Sequence, residues 1–360
     1  MESTTFGAAL LETCVSAAVA APSIHNTQPW HFGLDPETVT FEVRAAPGTG
    51  LPHLDPTGRA LLLSVGACVF NLRVALTHFG WSPVTRLLPS PGDPGLLATV
   101  RPTGLTARAT DERGADLYEA IWRRHSSRFP FVGRPVPEAV RAELGAAART
   151  EGASLCFAEG TDTLRLLRLT AEAERRNRFD ADRAAEGRRW VHRDLEPAPA
   201  TGLPRSALGP QDARERLPLR DFTAQRHTER LPARPFEAVP VIALLTTRHD
   251  RRVDWLHAGQ ALEHVWLAAT AHGLRASVMH QAVEWDDLRD ALATAPGDTA
   301  HPQLLIRLGY GPEGAATPRR APGRVRTLRT GEGGRTAQAD QPMTGQAGST
   351  QQAHHATTGG

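Results

Sequence analysis

Two long apolar stretches govern what this chain can fold into. Residues 59–79 read as one helix ending at Gly80, and residues 256–272 as another ending at Gly273. Laid side by side, SVGACVFNLRVALTHFGWSPV and HAGQALEHVWLAATAHGLRAS share more than apolar character. Gly66 and Gly80 are 14 apart, and so are Gly259 and Gly273. At the same offset Leu63 matches Leu256, Ala75 matches Ala268 and Thr77 matches Thr270. Two readings stay open: two buried helices that each end in glycine, or two copies of one fold packed as an internal pseudo-dimer. The second would place sites at the interface between the copies.

A chain of 360 residues allows about two domains and needs no disulfide or metal to hold its core. Its 41 basic and 39 acidic residues leave a net charge of +2, too balanced for a charge-driven nucleic-acid binder. Every basic residue is arginine. The absence of lysine excludes Schiff-base chemistry, pyridoxal phosphate enzymes and the P-loop lysine. Cys14, Cys68 and Cys156 form no CxxC pair, and three free thiols fit a reducing compartment. The apolar stretch 6–21 has no basic n-region, since the first arginine is Arg44, and Glu12 interrupts it. No run reaches ~18 apolar residues, so no membrane span is expected, and the location expected is cytoplasmic.

Along the chain, a helix over residues 6–19 stops at Ala21-Pro22, because the residue before proline disfavours the helical region. A polar turn follows, then short strands at 31–32 and 38–43 and, after the long helix, a strand at 96–101. A second unit begins near Asp116. It offers helices at 118–124 and 137–149, a loop at 125–134, and an Arg/Glu-rich helical stretch at 164–190 with a solvated face. Residues 195–220 hold five prolines and read as a long surface loop. Strands are expected at 239–246 and 304–308. From Gly331 almost nothing is apolar, so a disordered tail is expected.

No G-x-S-x-G, HExxH or G-x-G-x-x-G occurs; Gly48-Thr49-Gly50 fails the last at His53. His354 and His355 are a stray pair in the tail. Two segments stand out. Arg123-Arg124-His125-Ser126-Ser127-Arg128 sets arginines and hydroxyls where a helix ends, which suits a phosphate as well as a plain basic turn. Ala21-Pro22-Ser23-Ile24-His25-Asn26-Thr27-Gln28-Pro29-Trp30 puts amides, hydroxyls and an indole on a stiffened turn. It suits a flat heterocycle, or simply a helix end with Trp30 in the core.

Together these segments resemble the nitroreductase superfamily of FMN-dependent oxidoreductases, and within it the Acg-type branch with two nitroreductase-like halves in one chain. The resemblance covers roughly residues 5–325. It rests on A-P-S-x-x-N-x-Q-P-W, on R-R-H-S-S-R-F-P-F with Pro135-Val136-Pro137-Glu138 after it, on the helix at 259–274, and on P-Q-L-L-I-R-L-G-Y-G at 302–311. It implies an α+β, nitroreductase-like fold in two tandem copies forming an internal pseudo-dimer. A degenerate first half would span 1–115 and a second half 116–330, with a lid-like loop near 190–222 and a tail at 331–360. The first copy starts too late to hold an arginine motif, and the second reads Gly152-Ala153-Ser154-Leu155-Cys156-Phe157 where the Asn and Gln would be. The two half-motifs would therefore complete one site, with one FMN per chain.

By the same resemblance, Arg124, His125, Ser126 and Arg128 would hold the phosphate and ribityl end. Pro22, Ser23, Ile24, Asn26 and Gln28 would contact the flavin from the other half. Met279, His280 and Gln281 would lie near flavin N5, although this chain departs there from the usual Glu-Gly. Arg319 and Arg320 would add to the phosphate site. NADH or NADPH would donate hydride, and a small nitroaromatic or quinone-like acceptor would take it, with no obligatory side-chain acid or base. The implied rival is a lidded protein that sequesters FMN with little turnover. No nucleic-acid or membrane partner and no metal are expected, and the pseudo-dimer is expected to be a monomer.

Overall fold

The computed structural model describes residues 7–105, 112–192, 199–222, 231–293, 300–321 and 326–327. In chain order the first stretch holds α1 (Ala8–Val19), β1 (Trp30–Asp35), β2 (Thr40–Ala45), α2 (Arg59–His78), β3 (Trp81–Leu87) and β4 (Leu96–Leu105). Next come α3 (Glu112–Arg123), α4 (Glu138–Thr150), β5 (Ala153–Phe157), α5 (Gly160–Phe179) and α6 (Ala181–Arg189). The last stretch holds β6 (Val241–Thr247), α7 (Arg252–Ala271), β7 (Arg275–Met279), α8 (Asp286–Ala291) and β8 (His301–Gly309).

Helix α2 starts where Asp55 accepts hydrogen bonds from the Ala60 and Leu61 amides, at 3.0 and 2.8 Å, two donors a helix start leaves open. It ends with the Phe79 and Gly80 amides on the Ala75 and Thr77 carbonyls, Gly80 at φ +85°. Helix α7 ends identically: the His272 and Gly273 amides bond Ala268 and Thr270, with Gly273 at φ +73°. The sequence match is therefore a match of hydrogen bonds.

The two helices cross at their internal glycines. A Cβ on Gly66 would meet the Leu256 carbonyl and stand 2.9 Å from the Gly259 Cα. A Cβ on Gly259 would meet the Leu63 carbonyl and stand 2.9 Å from the Gly66 Cα. The aligned residues thus exchange contacts reciprocally, as a two-fold interface requires. Their leucines swap cores as well. Leu256 packs into the core under α1, α2 and the first sheet, and Leu63 into the core under α4, α7 and the second sheet.

Both sheets have one layout. The first runs β1-β2-β4-β3 and the second β5-β6-β8-β7, antiparallel throughout, with 326–327 added in parallel beside β1. In each, a helix precedes the first strand and a long helix links the second to the third. The copies differ between their first two strands: residues 36–39 suffice in the first, whereas 158–240 intervene in the second. All described residues lie in one compact unit running to Leu328, with no break at 115/116. The expected tail at 331–360 lies outside the described residues.

Several expectations need correction. Helix α2 is long and apolar enough to cross a membrane by length and composition, with mean hydropathy 1.8, and 83% of that window is buried here as a core helix. The stretch 164–190 is two helices, because the Asp180 carboxylate caps the second by accepting the Asp182 and Arg183 amides. Its face is only partly solvated, since Glu174 and Glu186 are buried. Strands β3, β5 and β7 were not anticipated: Pro83 sits in β3, and β7 is short. Residues 199–222 are not a surface loop, because Leu203, Leu208, Leu217 and Phe222 are buried.

Candidate cofactor site

The turn between α1 and β1 is strained in a way that explains its residue types. His25, Asn26 and Gln28 have φ of 48°, 55° and 50°, in the left-handed region. Ser23 Oγ accepts the Gln28 amide at 2.9 Å, and Ser64 Oγ of α2 accepts the Ile24 amide at 3.1 Å. Asn26 Nδ2 donates to the Gly202 and Pro318 carbonyls, both at 2.9 Å, while its Oδ1 accepts from Arg319 at 3.0 Å. Gln28 Nε2 donates to Ala200 O at 2.7 Å, and its Oε1 accepts the Arg320 amide at 2.8 Å. Arg320 also donates to Gln28 O. The motif's amides therefore stitch the turn to two distant segments, leaving Pro22, Ser23 and Ile24 half-buried on the open side. The second half has no room for such a turn, because only residues 151–152 separate α4 from β5.

Residues 124–128 run beside β7, where the Ser127 amide bonds Ala276 O at 2.9 Å. Arg124 is 3% exposed. Its Nη2 donates to Ala20 O at 2.9 Å, its guanidinium covers Trp266 at 4.7 Å, and its Nε stands 3.1 Å from Glu263. Arg319 donates to the same Ala20 carbonyl at 3.1 Å. Arg124 Nε, Arg319 Nε and both Glu263 oxygens are buried without a well-aligned hydrogen bond among the described residues. Burial pushes the Glu263 carboxyl up to about 7, against the pull of Arg124 and Arg319. Burial also draws the Arg319 guanidinium down to about 9, Arg124 adding to it.

Between these segments lies a cavity, about 890 Å³ with the part open to solvent included. Pro22, Ser23 and Ile24 form one wall, Ser126 and Arg128 another, and Met279, His280 and Gln281 a third. Trp266, Leu262 and Leu63, from the crossing helices, supply apolar surface, and Pro218, Leu219, Arg220 and Phe222 cover it.

One charged chain in the wall has no counterpart in the sequence expectations. Arg59 Nη2 donates to His280 Nε2 at 3.3 Å, so the His280 proton sits on Nδ1, 3.1 Å from Glu284. Arg220 Nη2 reaches both Glu284 oxygens at 2.5 Å, and its Nη1 donates to His25 Nε2 at 2.8 Å. Burial alone would raise the Glu284 carboxyl, but Arg220 and His280 outweigh it and hold it at about 2. Burial, then Arg220, pushes His25 down to about 3. Burial likewise draws Arg128 down to about 10, with Arg220 adding to it. The wall is electropositive and both imidazoles are neutral.

The structure thus brings Pro22, Ser23, Ile24, Ser126, Arg128, Met279, His280 and Gln281 to one cavity. Asn26, Gln28, Arg124, His125, Arg319 and Arg320 do not line it; all but the half-buried His125 hydrogen-bond protein, although the Nε atoms of Arg124 and Arg319 make no well-aligned bond. Sequence reasoning missed Trp266 and Leu262, although they sit one turn apart on a helix it had singled out. It also missed Glu263, the one acid inside that apolar run. Arg220 and Glu284 carried no local signal.

Residues 121–310, just over half the chain, match the nitroreductase family. Rv3131 of Mycobacterium tuberculosis, named as an NAD(P)H nitroreductase, is 32% identical over 86% of this chain and 89% of its own length. The protein acg of the same organism, similarly named, is 28% identical over 86% and 93%. A Bacteroides fragilis nitroreductase crystallised with FMN superposes at a TM-score of 0.36 with 14% identity, covering 59% of this chain and 98% of its own, and adds nothing to the assignment. The sequence matches suffice: this chain belongs to the nitroreductase family.

Proposed function

We propose that this chain is an FMN-dependent oxidoreductase that takes hydride from NADH or NADPH and passes it to a small acceptor of the nitroaromatic or quinone class. Each chain holds one FMN, in a site completed by both halves of an internal pseudo-dimer, so the working unit is a monomer. One observation carries this reading: residues 22–24 and, about 100 positions on, Ser126 and Arg128 line one cavity with 279–281. The residues fit the group, because the cavity joins apolar walls to the Ser126 hydroxyl and the Arg128 and Arg220 guanidinium groups.

When bound, the flavin supplies the hydride chemistry. The protein positions it. Trp266, Leu262, Leu63 and Ile24 offer flat apolar contact, and Ser126 and Arg128 offer donors on the opposite wall. Arg128 and Arg220 in the wall, with Arg59 behind His280, favour an electron-rich ligand. Pro218, Leu219, Arg220 and Phe222 complete the lining. Neither imidazole is a proton source, since His25 and His280 are neutral and tied at Nε2 to arginines.

The cover favours a second reading, sequestration of FMN. Arg220 pins residues 218–222 to Glu284, Gln281 Nε2 donates to Pro218 O at 3.1 Å, and Arg128 donates to Ala207 O at 2.7 Å. Visible spectroscopy under anaerobic NADH or NADPH decides. Bleaching of the flavin band establishes the reductase. A band that bleaches only with dithionite establishes sequestration. Failure to bind FMN at all overturns both.

A further inference from the structure

Arg128 is the cation of the cavity wall that no carboxylate faces among the described residues. Arg220 is matched by Glu284 at 2.5 Å, and Arg59, behind His280, has the charges of Asp55 and Asp250 to offset its own. Arg128 has neither kind of support. Its Nη1 donates to Ala207 O at 2.7 Å and its guanidinium covers the Phe222 ring at 5.0 Å, while its other two nitrogens bond nothing among the described residues. Burial and the charge of Arg220 both act against its charged form, and no acid offsets them. His25 adds a donor around the same ring. It is 7% exposed, meets Phe222 edge-on at 5.2 Å, and accepts from Arg220 at Nε2. Its proton therefore sits on Nδ1, which is buried with no partner among the described residues. Arg128 and His25 both line the cavity, to which Trp266 and Leu262 contribute apolar surface. A carboxylate entering it would supply the counter-charge and the acceptor that these two groups lack.

Resting on the oxidoreductase reading above, we propose that Arg128 and His25 form a carboxylate subsite that makes this chain select anionic acceptors: planar nitroaromatics or quinones that carry a carboxylate as well as the reducible group. The phosphate of FMN shares the chemistry of that carboxylate, so the test separates the two sources.

Calorimetric titration of the FMN-loaded protein compares para-nitrobenzoate with para-nitrobenzamide, a neutral molecule of similar size and shape. The wild type is expected to bind the acid at least about tenfold more tightly than the amide, the yield of one charge-assisted contact. Arg128→Gln is expected to bring the two level. Titration of the apo-protein with FMN and with riboflavin is the second arm, and there Arg128→Gln is expected to change both affinities by the same factor. Equal binding of acid and amide by the wild type, or a preference for the acid that survives in Arg128→Gln, overturns the proposal. So does a loss in the variant confined to FMN, which would assign Arg128 to the cofactor's phosphate. If the variant does not fold, the acid and the amide on the wild type decide alone. If the wild type binds no FMN, the oxidoreductase reading falls, and the same pair of ligands on the apo-protein still tests the subsite.

Discussion

At the scale of single residues, the glycine pair and the buried acid carry the sharpest consequences. Gly259→Ala puts a methyl group against the Leu63 carbonyl, a backbone atom that cannot swing away, and 2.9 Å from the Gly66 Cα. Denaturant unfolding should show a loss of about 3 kcal/mol, the upper range for overpacking. Gly145→Ala, whose methyl would meet only the flexible Arg149 side chain at 3.3 Å, should not destabilise and can gain up to about 1 kcal/mol of helix propensity. Equal effects would contradict the close crossing. The Glu263 carboxyl titrates in the fold near 7, above its ordinary 4.5. The folded state therefore binds that proton more tightly than the unfolded chain. Its contribution to stability is complete below about 4.5 and is lost as pH rises to about 7. Melting curves of Glu263→Gln should lack that decline, and a wild-type decline persisting in the variant would assign it elsewhere.

At the scale of elements, the cover over the cavity is a set of discrete ties. Arg220→Ala leaves Glu284 buried without its guanidinium, a loss of about 3–5 kcal/mol for a buried pair, although local opening can relieve part of it. Limited proteolysis should then cut within 199–222 faster than in the wild type, while α2 and α7 stay protected. Unchanged cleavage would mean that the ion pair does not hold the cover. Because the Glu284 carboxyl is held at about 2, below its ordinary 4.5, its contribution is present above 4.5 and lost only as pH falls toward 2. The ties should therefore survive mild acid.

Elements also show why part of the fold was legible in the sequence. Helices α1, α2, α4 and α7 announced themselves by period and by proline or glycine at their ends. Strands β5 and β7 did not, because five residues alternate too briefly to stand out. The cover was read as solvent-facing from its prolines, yet Leu203, Leu208 and Phe222 pack together. Of the site, the motif turn and the Ser126–Arg128 side of the cavity could be read locally. The Arg59, His280, Glu284, Arg220 and His25 chain could not, since its members meet only through tertiary packing.

At the scale of the whole molecule, the proposed reading makes the repeat the means by which one chain does what a two-fold pair would do. Two sheets of identical order pack through α2 and α7, and each helix sends a leucine into the other half's core. The interface that would join two subunits is thereby internal. Light scattering of the flavin-loaded protein is expected to give the mass of a single chain, 38.9 kDa. A dimer whose flavin content falls on dilution would show that the site needs a second copy.

On the proposed reading, the asymmetry of the repeat limits the chain to one FMN site. The motif turn belongs to the first half, because the link at 151–152 is too short to form another. The segment 124–128 approaches it from the second half. Titrating apo-protein with FMN, in the wild type and in Asn26→Asp and Arg124→Ala, tests this most directly. The account predicts one FMN per wild-type chain and a Kd weakened about tenfold in each variant, because Asn26 ties the turn to Gly202, Pro318 and Arg319, Arg124 ties its segment to Ala20, and a lost buried hydrogen bond of ~1.5 kcal/mol loosens the walls. Two FMN per chain, or wild-type affinity in both variants, would contradict it.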